Sequence, residues 1–141
     1  MKFFHYLLIA ILLAAAFPVN AQQVPTIDEV HSFFSDSNIQ ITYREGGPVY
    51  GTFYILEIHY CPNGYGLYGQ TSKQTVMGNY QNNSWQEFGT WKVISQDGLV
   101  GLYYEPQNDQ PNFVAVYKLA DGSFFIGEGI TVLKQGNAIC Y

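Results

Sequence analysis

The chain has 141 residues, of which 48% are hydrophobic, 17% aromatic and only 12% charged, and eleven acidic against six basic side chains give a net charge of −5. This length predicts one domain with one hydrophobic core. So few Lys and Arg residues exclude nucleic-acid binding, which needs a basic surface to displace phosphate counterions.

Residues 1–21 have the pattern of a secretory signal peptide. Lys2 makes the start positive, residues 6–16 are an unbroken apolar run, and residues 19–21 (Val-Asn-Ala) fit a cleavage site. The run is shorter than the ~20 residues that span a bilayer, which disfavours a membrane anchor. We therefore expect cleavage after Ala21 and a secreted or periplasmic mature chain without a membrane span. That mature chain, residues 22–141, loses Lys2 and carries a net charge of −6.

Residues 26–35 are the predicted helix of the mature chain. Thr26 and Glu29 have the spacing of a capping box, in which each side chain satisfies a backbone N–H at the start of the helix. The apolar residues of this segment fall on one narrow stripe, formed by Ile27, Val30, Phe33 and Phe34. Because the helix is short and its stripe narrow, it must dock against another element.

The rest of the chain alternates between short apolar segments and turn signals, which indicates strands. The predicted strands are residues 39–44, 49–60, 65–70, 74–80, 85–94, 99–104, 113–119 and 123–133, with 82–84 as a loop and Gly89 as a bend or bulge. Short connections imply an antiparallel meander. Because several strands are apolar on both faces, we predict an all-β fold of seven or eight strands closed as a barrel, with a two-layer sandwich as the alternative.

One part of this pattern resembles a known family. The helix, the long strand, the Cys-Pro-Asn-Gly turn at residues 61–64, Gly89-Thr90-Trp91, the Asp121-Gly122 hairpin and the terminal Cys140 together resemble small exported lipocalin-like (calycin-type) β-barrels. The resemblance implies a cavity for a small, mostly apolar ligand and no catalytic residues.

Cys61 and Cys140 are the two cysteines of the chain, and in an exported protein they predict a disulfide. The alternative is catalytic, because Glu57, His59 and Cys61 alternate and would share one face of a strand. Neighbours two apart on a strand are roughly 6–7 Å apart, beyond direct hydrogen-bond reach without a bend. We therefore expect no catalytic residue and no cofactor. We also expect no metal site, since His31, His59 and Cys61 lack a recognised ligand spacing.

Aromatic residues near turns and strand ends are the main candidates for a ligand site, because amphipathic rings grip apolar ligands or stack on sugars. Glu128 is added because it stands between two glycines of the last predicted strand, although a solvent-facing position is the alternative. The candidate ligand-binding residues are Tyr65, Tyr68, Trp85, Trp91, Tyr103 and Glu128. Asn82 matches a glycosylation acceptor, which has meaning only in a eukaryotic secretory route.

Paired carboxylates for glycoside hydrolysis could come from Glu57, Glu87, Glu105 and Glu128, but the sequence does not set their separation. We therefore expect an exported, non-enzymatic binding module for a small apolar or sugar-like ligand. The alternative is a structural or inhibitor-like protein whose aromatic outer face contacts another protein.

Overall fold

The computed structural model describes residues 22–127 and 129–141. In this part of the chain a short helix precedes eight strands: α1 (Ile27–Phe34), β1 (Ser37–Glu45), β2 (Thr52–Cys61), β3 (Gly64–Gln74), β4 (Tyr80–Gln96), β5 (Leu99–Pro106), β6 (Asn112–Lys118), β7 (Phe124–Ile126) and β8 (Ile130–Asn137). The strands pair in chain order and β8 returns to β1, so the sheet is a closed barrel. The predicted all-β barrel is therefore confirmed, and the sandwich alternative is wrong.

The predicted signal peptide, residues 1–21, lies outside the described residues. Within residues 22–127 and 129–141, no helix has the length and apolar character needed to cross a membrane.

Alternation along the strands explains why the sheet closes. On β1, Ile39 and Ile41 are buried and point to the same side as their partners on β2, Ile58 and Leu56. Successive strand residues point to opposite faces, so each strand sends every second side chain into one interior. Closure covers these inward residues and gives each described strand a paired neighbour on both sides.

Helix α1 closes one end of the barrel. Its capping box forms as predicted, with the Thr26 hydroxyl accepting from the backbone of Glu29 and the Glu29 carboxylate accepting from the backbone of Thr26. Val30 and Phe34 are fully buried. Lys118 is the last residue of β6, and its Nζ donates to Glu29 Oε1 at 2.6 Å. This ion pair fixes the helix on the barrel wall. We call this the helix end, and the opposite one the open end.

The segment 74–84 differs from the sequence prediction. β3 continues to Gln74, the turn lies at residues 75–79, and β4 runs without interruption from Tyr80. Asn82, predicted within a loop, pairs with Ser72 in the β3–β4 ladder. Gly89 forms no bulge; a side chain there would instead meet the backbone carbonyl of Glu105 on β5.

Two predicted strands also had the wrong extent. Residues 49–51 belong to the β1–β2 connection, and residues 123–133 form two strands, β7 and β8, rather than one. Gly127 and Gly129 take φ values of 54° and 99°, which favour glycine and turn the chain between these strands. Gly127 and Gly129 therefore lie between β7 and β8 and not in the interior of one strand. Glu128 itself lies outside the described residues.

The predicted disulfide is confirmed. Cys61, at the end of β2, is bonded to Cys140, 79 residues later, with a Cα–Cα distance of 5.8 Å. The bond holds the C-terminal segment against the outer face of β2, where the backbone N–H of Ile139 donates to His59 Nδ1 at 3.0 Å.

Removing this cross-link should destabilise the barrel. We expect the double variant Cys61→Ala/Cys140→Ala to lose about 4 kcal/mol of unfolding free energy, because a bond that closes so long a loop restricts the unfolded chain. Urea unfolding monitored by circular dichroism measures the loss, and reduced wild-type protein should show a similar one. An unchanged unfolding midpoint in the variant would contradict the stabilising role.

Candidate ligand-binding cavity

The open end of the barrel contains a cavity of about 330 Å³. Its wall consists mainly of inward aliphatic side chains from six strands, among them Ile41, Leu56, Leu67, Val114, Ile126 and Ile130. The volume lies within the range of small-molecule sites, which begins at about 300 Å³. The cavity exists because α1 and large aromatic side chains fill the helix end but not the open end.

A few polar groups interrupt this apolar wall. The Tyr65 hydroxyl donates to Glu87 Oε1 at 2.5 Å, and the hydroxyls of Tyr60 and Tyr104 share a hydrogen bond. The rings of Tyr65 and Tyr104 meet edge to face, with centroids 5.1 Å apart. Asn112 adds an amide at the mouth.

Burial raises the pKa of the two tyrosine hydroxyls that line the cavity. It raises the pKa of the Tyr65 hydroxyl far above its ordinary value, and the hydrogen bond to Glu87 raises it further. Burial likewise raises the pKa of Tyr104. A phenol is already neutral at physiological pH, so these shifts keep both hydroxyls protonated at more alkaline pH as well. Among the described residues that line the cavity, Glu87 is the one with an ionisable carboxyl group.

An aromatic group forms part of the rim of the open end. Tyr43 and Tyr54, paired across β1 and β2, stack with centroids 4.6 Å apart and nearly parallel rings. Trp85 meets Tyr54 edge-on at 6.5 Å and lies over Gly69, its cross-strand partner. Trp85 is 38% exposed, so this rim carries an accessible aromatic surface.

Five of the six ligand-binding residues predicted from the sequence are described by the structure, and they lie in different parts of the barrel. Tyr65 lines the cavity and Trp85 lies at its rim. Trp91 is at the helix end, where it packs on Tyr60 and donates from Nε1 to the carbonyl of Cys61.

Two further candidates, Tyr68 and Tyr103, do not face the cavity. Tyr68 lies on the outer face beside His59, and Tyr103 lies outside with Lys92 Nζ 5.0 Å from its ring centroid. Glu128 is outside the described residues. The five described candidates therefore do not lie together in one place, and the ligand-binding role of each candidate stays a prediction.

Sequence reasoning missed Tyr43, Tyr104 and Glu87 as a group that shares the interior. The signal for Glu87 was the alternation of β4, in which Trp85, Glu87 and Trp91 fall on one face. The predicted strand 85–94 already contained this alternation, but Gly89 was predicted as a bend or bulge, which would move Trp91 off the face shared by Trp85 and Glu87.

Glu57, His59 and Cys61 lie on one face of β2, as predicted. The side chains of Glu57 and His59 are nonetheless within hydrogen-bond distance, which was not expected. His59 Nε2 lies 3.0 Å from Glu57 Oε1, because the two side chains reach across the spacing of the backbone. His59 is only 6% exposed, because the C-terminal segment covers it. Cys61 is in the disulfide and cannot act as a nucleophile while oxidised.

Among the described residues no group of three His, Cys, Asp or Glu could hold a metal ion.

Substitution of Gly69 should move the rim tryptophan. A Cβ at this position would lie 2.3 Å from the Trp85 ring, so Gly69→Ala should displace Trp85 outward and red-shift its fluorescence. The half-exposed ring can move, and the cost in unfolding free energy should stay below about 3 kcal/mol.

The measurement uses a Trp91→Phe background, in which Trp85 is the remaining tryptophan of the chain. Gly66→Ala is the matched control, because Gly66 lies on the same strand but contacts Phe88. Equal emission spectra with and without Gly69→Ala would show that Trp85 does not lie over Gly69.

Comparisons with protein-family models, with curated proteins and with solved structures found no match to this chain.

Proposed function

We propose that this protein is an exported, non-enzymatic binding module that holds a small, mainly apolar ligand in the open half of a lipocalin-like barrel. The observation that carries the proposal is the cavity of about 330 Å³ lined by inward aliphatic side chains. A preformed apolar cavity with a few polar groups is the usual form of a small-molecule site.

The distribution of side chains supports a ligand of limited size. Phe34, Tyr60 and Leu102 are almost fully buried and occupy the helix end, so a ligand has only the open half available. Burial of apolar surface contributes roughly 25 cal/mol per Å², and such a ligand gains most of its affinity in this way. The Tyr43–Tyr54–Trp85 rim would also suit a sugar-like ligand, since aromatic faces stack on sugar rings.

The disulfide supports the exported part of the proposal. Disulfides persist in oxidising compartments, and the Cys61–Cys140 bond agrees with the signal-peptide pattern of residues 1–21.

A second candidate, a protein-interaction module, is favoured by a different observation. Large apolar side chains are exposed on the connections of the open end: Val49, Tyr50, Val76 and Met77, with Tyr80 at the start of β4. Exposed apolar patches often mark contact surfaces. The two candidates differ in where they place the contact, inside the barrel or on its loops.

Filling the cavity should abolish ligand uptake. The uncharged dye N-phenyl-1-naphthylamine should bind the wild-type chain with a rise in fluorescence, and Leu67→Trp should weaken binding at least 10-fold by occupying the interior. Leu133→Trp, on the half-exposed outer face of β8, is the matched control and should bind the dye as wild type does.

Thermal unfolding of each variant shows whether it folds, and Val114→Phe provides a second cavity-filling variant if Leu67→Trp does not. Equal dye affinity in wild type and in a folded cavity-filling variant would contradict the proposal. Loss of dye binding on substitution of Val76 and Met77 by Ser, with the cavity intact, would favour the second candidate.

A further inference from the structure

The cavity contains a carboxyl group without a charged partner among the described residues. Glu87 points inward from β4, opposite Leu67 of β3, and takes part in none of the ion pairs of residues 22–127 and 129–141. A carboxylate in an apolar site is unfavourable unless it is paired or hydrogen-bonded. Its position therefore needs an explanation.

The hydrogen bond from Tyr65 satisfies Glu87 only in part. A carboxylate offers about four acceptor positions, and the Tyr65 hydroxyl uses one of them on Oε1. The other residues that line the cavity are mainly aliphatic, with Asn112 at the mouth. Acceptor capacity on the Glu87 carboxylate, which lines the cavity, is thus left over.

The aromatic rings around Glu87 would also favour a cation. Tyr65 and Tyr104 line the cavity beside it, and both phenols are neutral near pH 7, as is usual for tyrosine. The faces of neutral aromatic rings attract cations, most strongly where water is excluded. The two phenols add no charge to the cavity. Among the described residues that line it, Glu87 is the one with a carboxyl group.

The way to Glu87 from outside is acidic as well. β4 extends beyond its pairing with β5, which begins at Gly89, and Glu87 therefore also lines an outer cleft with Asp109. The negative charge of Asp109 contributes to the raised pKa of the Tyr65 hydroxyl. The whole chain carries a net charge of −5, so cations are attracted and anions repelled.

We propose that the ligand of this cavity is an organic amine with a small apolar body, whose ammonium group binds Glu87 beside the rings of Tyr65 and Tyr104. The inference rests on the proposed function and adds to it the chemical class of the ligand. The ammonium donates to the free acceptor positions of the carboxylate, and the apolar body lies against Leu56, Leu67 and Val114.

A purely structural Glu87 would behave differently. If the carboxylate served only to hold the Tyr65 hydroxyl, the cavity would not distinguish an amine from an alcohol of the same chain length. The test therefore compares ligands that differ only in their head group.

Hexylamine, hexan-1-ol and hexanoate should each be titrated against the dye-loaded wild-type protein at pH 7. We expect hexylamine to displace the dye at a concentration at least 10-fold lower than hexan-1-ol, and hexanoate to be the weakest. Added NaCl should weaken hexylamine and leave hexan-1-ol unchanged, because salt screens the charge interaction.

Glu87→Gln keeps the size and an acceptor for Tyr65 but removes the charge. The ratio of hexylamine to hexan-1-ol affinity should fall to about twofold or less in this variant, and the ratio is independent of any general change in dye affinity. Glu105→Gln, an exposed carboxyl group next to Lys92, is the matched control and should keep the wild-type ratio. Should Glu87→Gln fail to fold, the NaCl series on the wild-type protein decides the question.

Equal affinity for the amine and the alcohol in wild type, or a preference for hexanoate, would overturn this inference while dye binding leaves the proposed function in place. A preference for hexylamine that persists in folded Glu87→Gln would also overturn it. Failure of the dye to bind the wild-type chain at all would instead overturn the proposed function, and this inference with it.

Discussion

The pairing of the first strand with the last is the interaction on which the rest of the structure depends. β1 and β8 align from Ser37 opposite Asn137 to Ile41 opposite Val132, and this ladder converts a meander into a closed barrel. Without it, two strand edges and the inward apolar side chains would face water. The disulfide acts in the same region, because it holds the chain just after β8 against the outer face of β2. Closure therefore combines backbone hydrogen bonds with a covalent restraint.

A closed barrel of eight strands leaves an interior that side chains or one small ligand can fill, and this chain fills its two halves differently. At the helix end, α1 inserts Phe34 against Tyr60, and Trp91 packs on the same ring. At the open end the inward residues are smaller and leave the cavity, with Glu87 and Tyr65 as its polar pair. The same closure that stabilises the fold thus forms the apolar cavity, and we propose that its one described carboxyl group selects what binds there.

Local signals in the sequence predicted much of this fold. Thr26 and Glu29 predicted the start of α1, and the Asn-Gly and Asp-Gly pairs marked hairpins that the structure contains. The long β3–β4 hairpin was missed because Asn82 and its neighbours have low strand propensity, and the β3 ladder rather than propensity holds them in a strand. The site was predicted only in part, because the inward or outward direction of a residue depends on register, which distant strand pairing determines.

We propose that the open half of the barrel interior takes up a ligand, and methyl NMR of the wild-type protein can show where that ligand binds. On addition of a neutral apolar compound, the shifted methyl resonances should be those of the inward residues Leu67, Val114 and Ile126. Shifts confined to Val49 and Val76, on the exposed connections, with unchanged interior methyls, would contradict it and place the contact on the outside of the barrel.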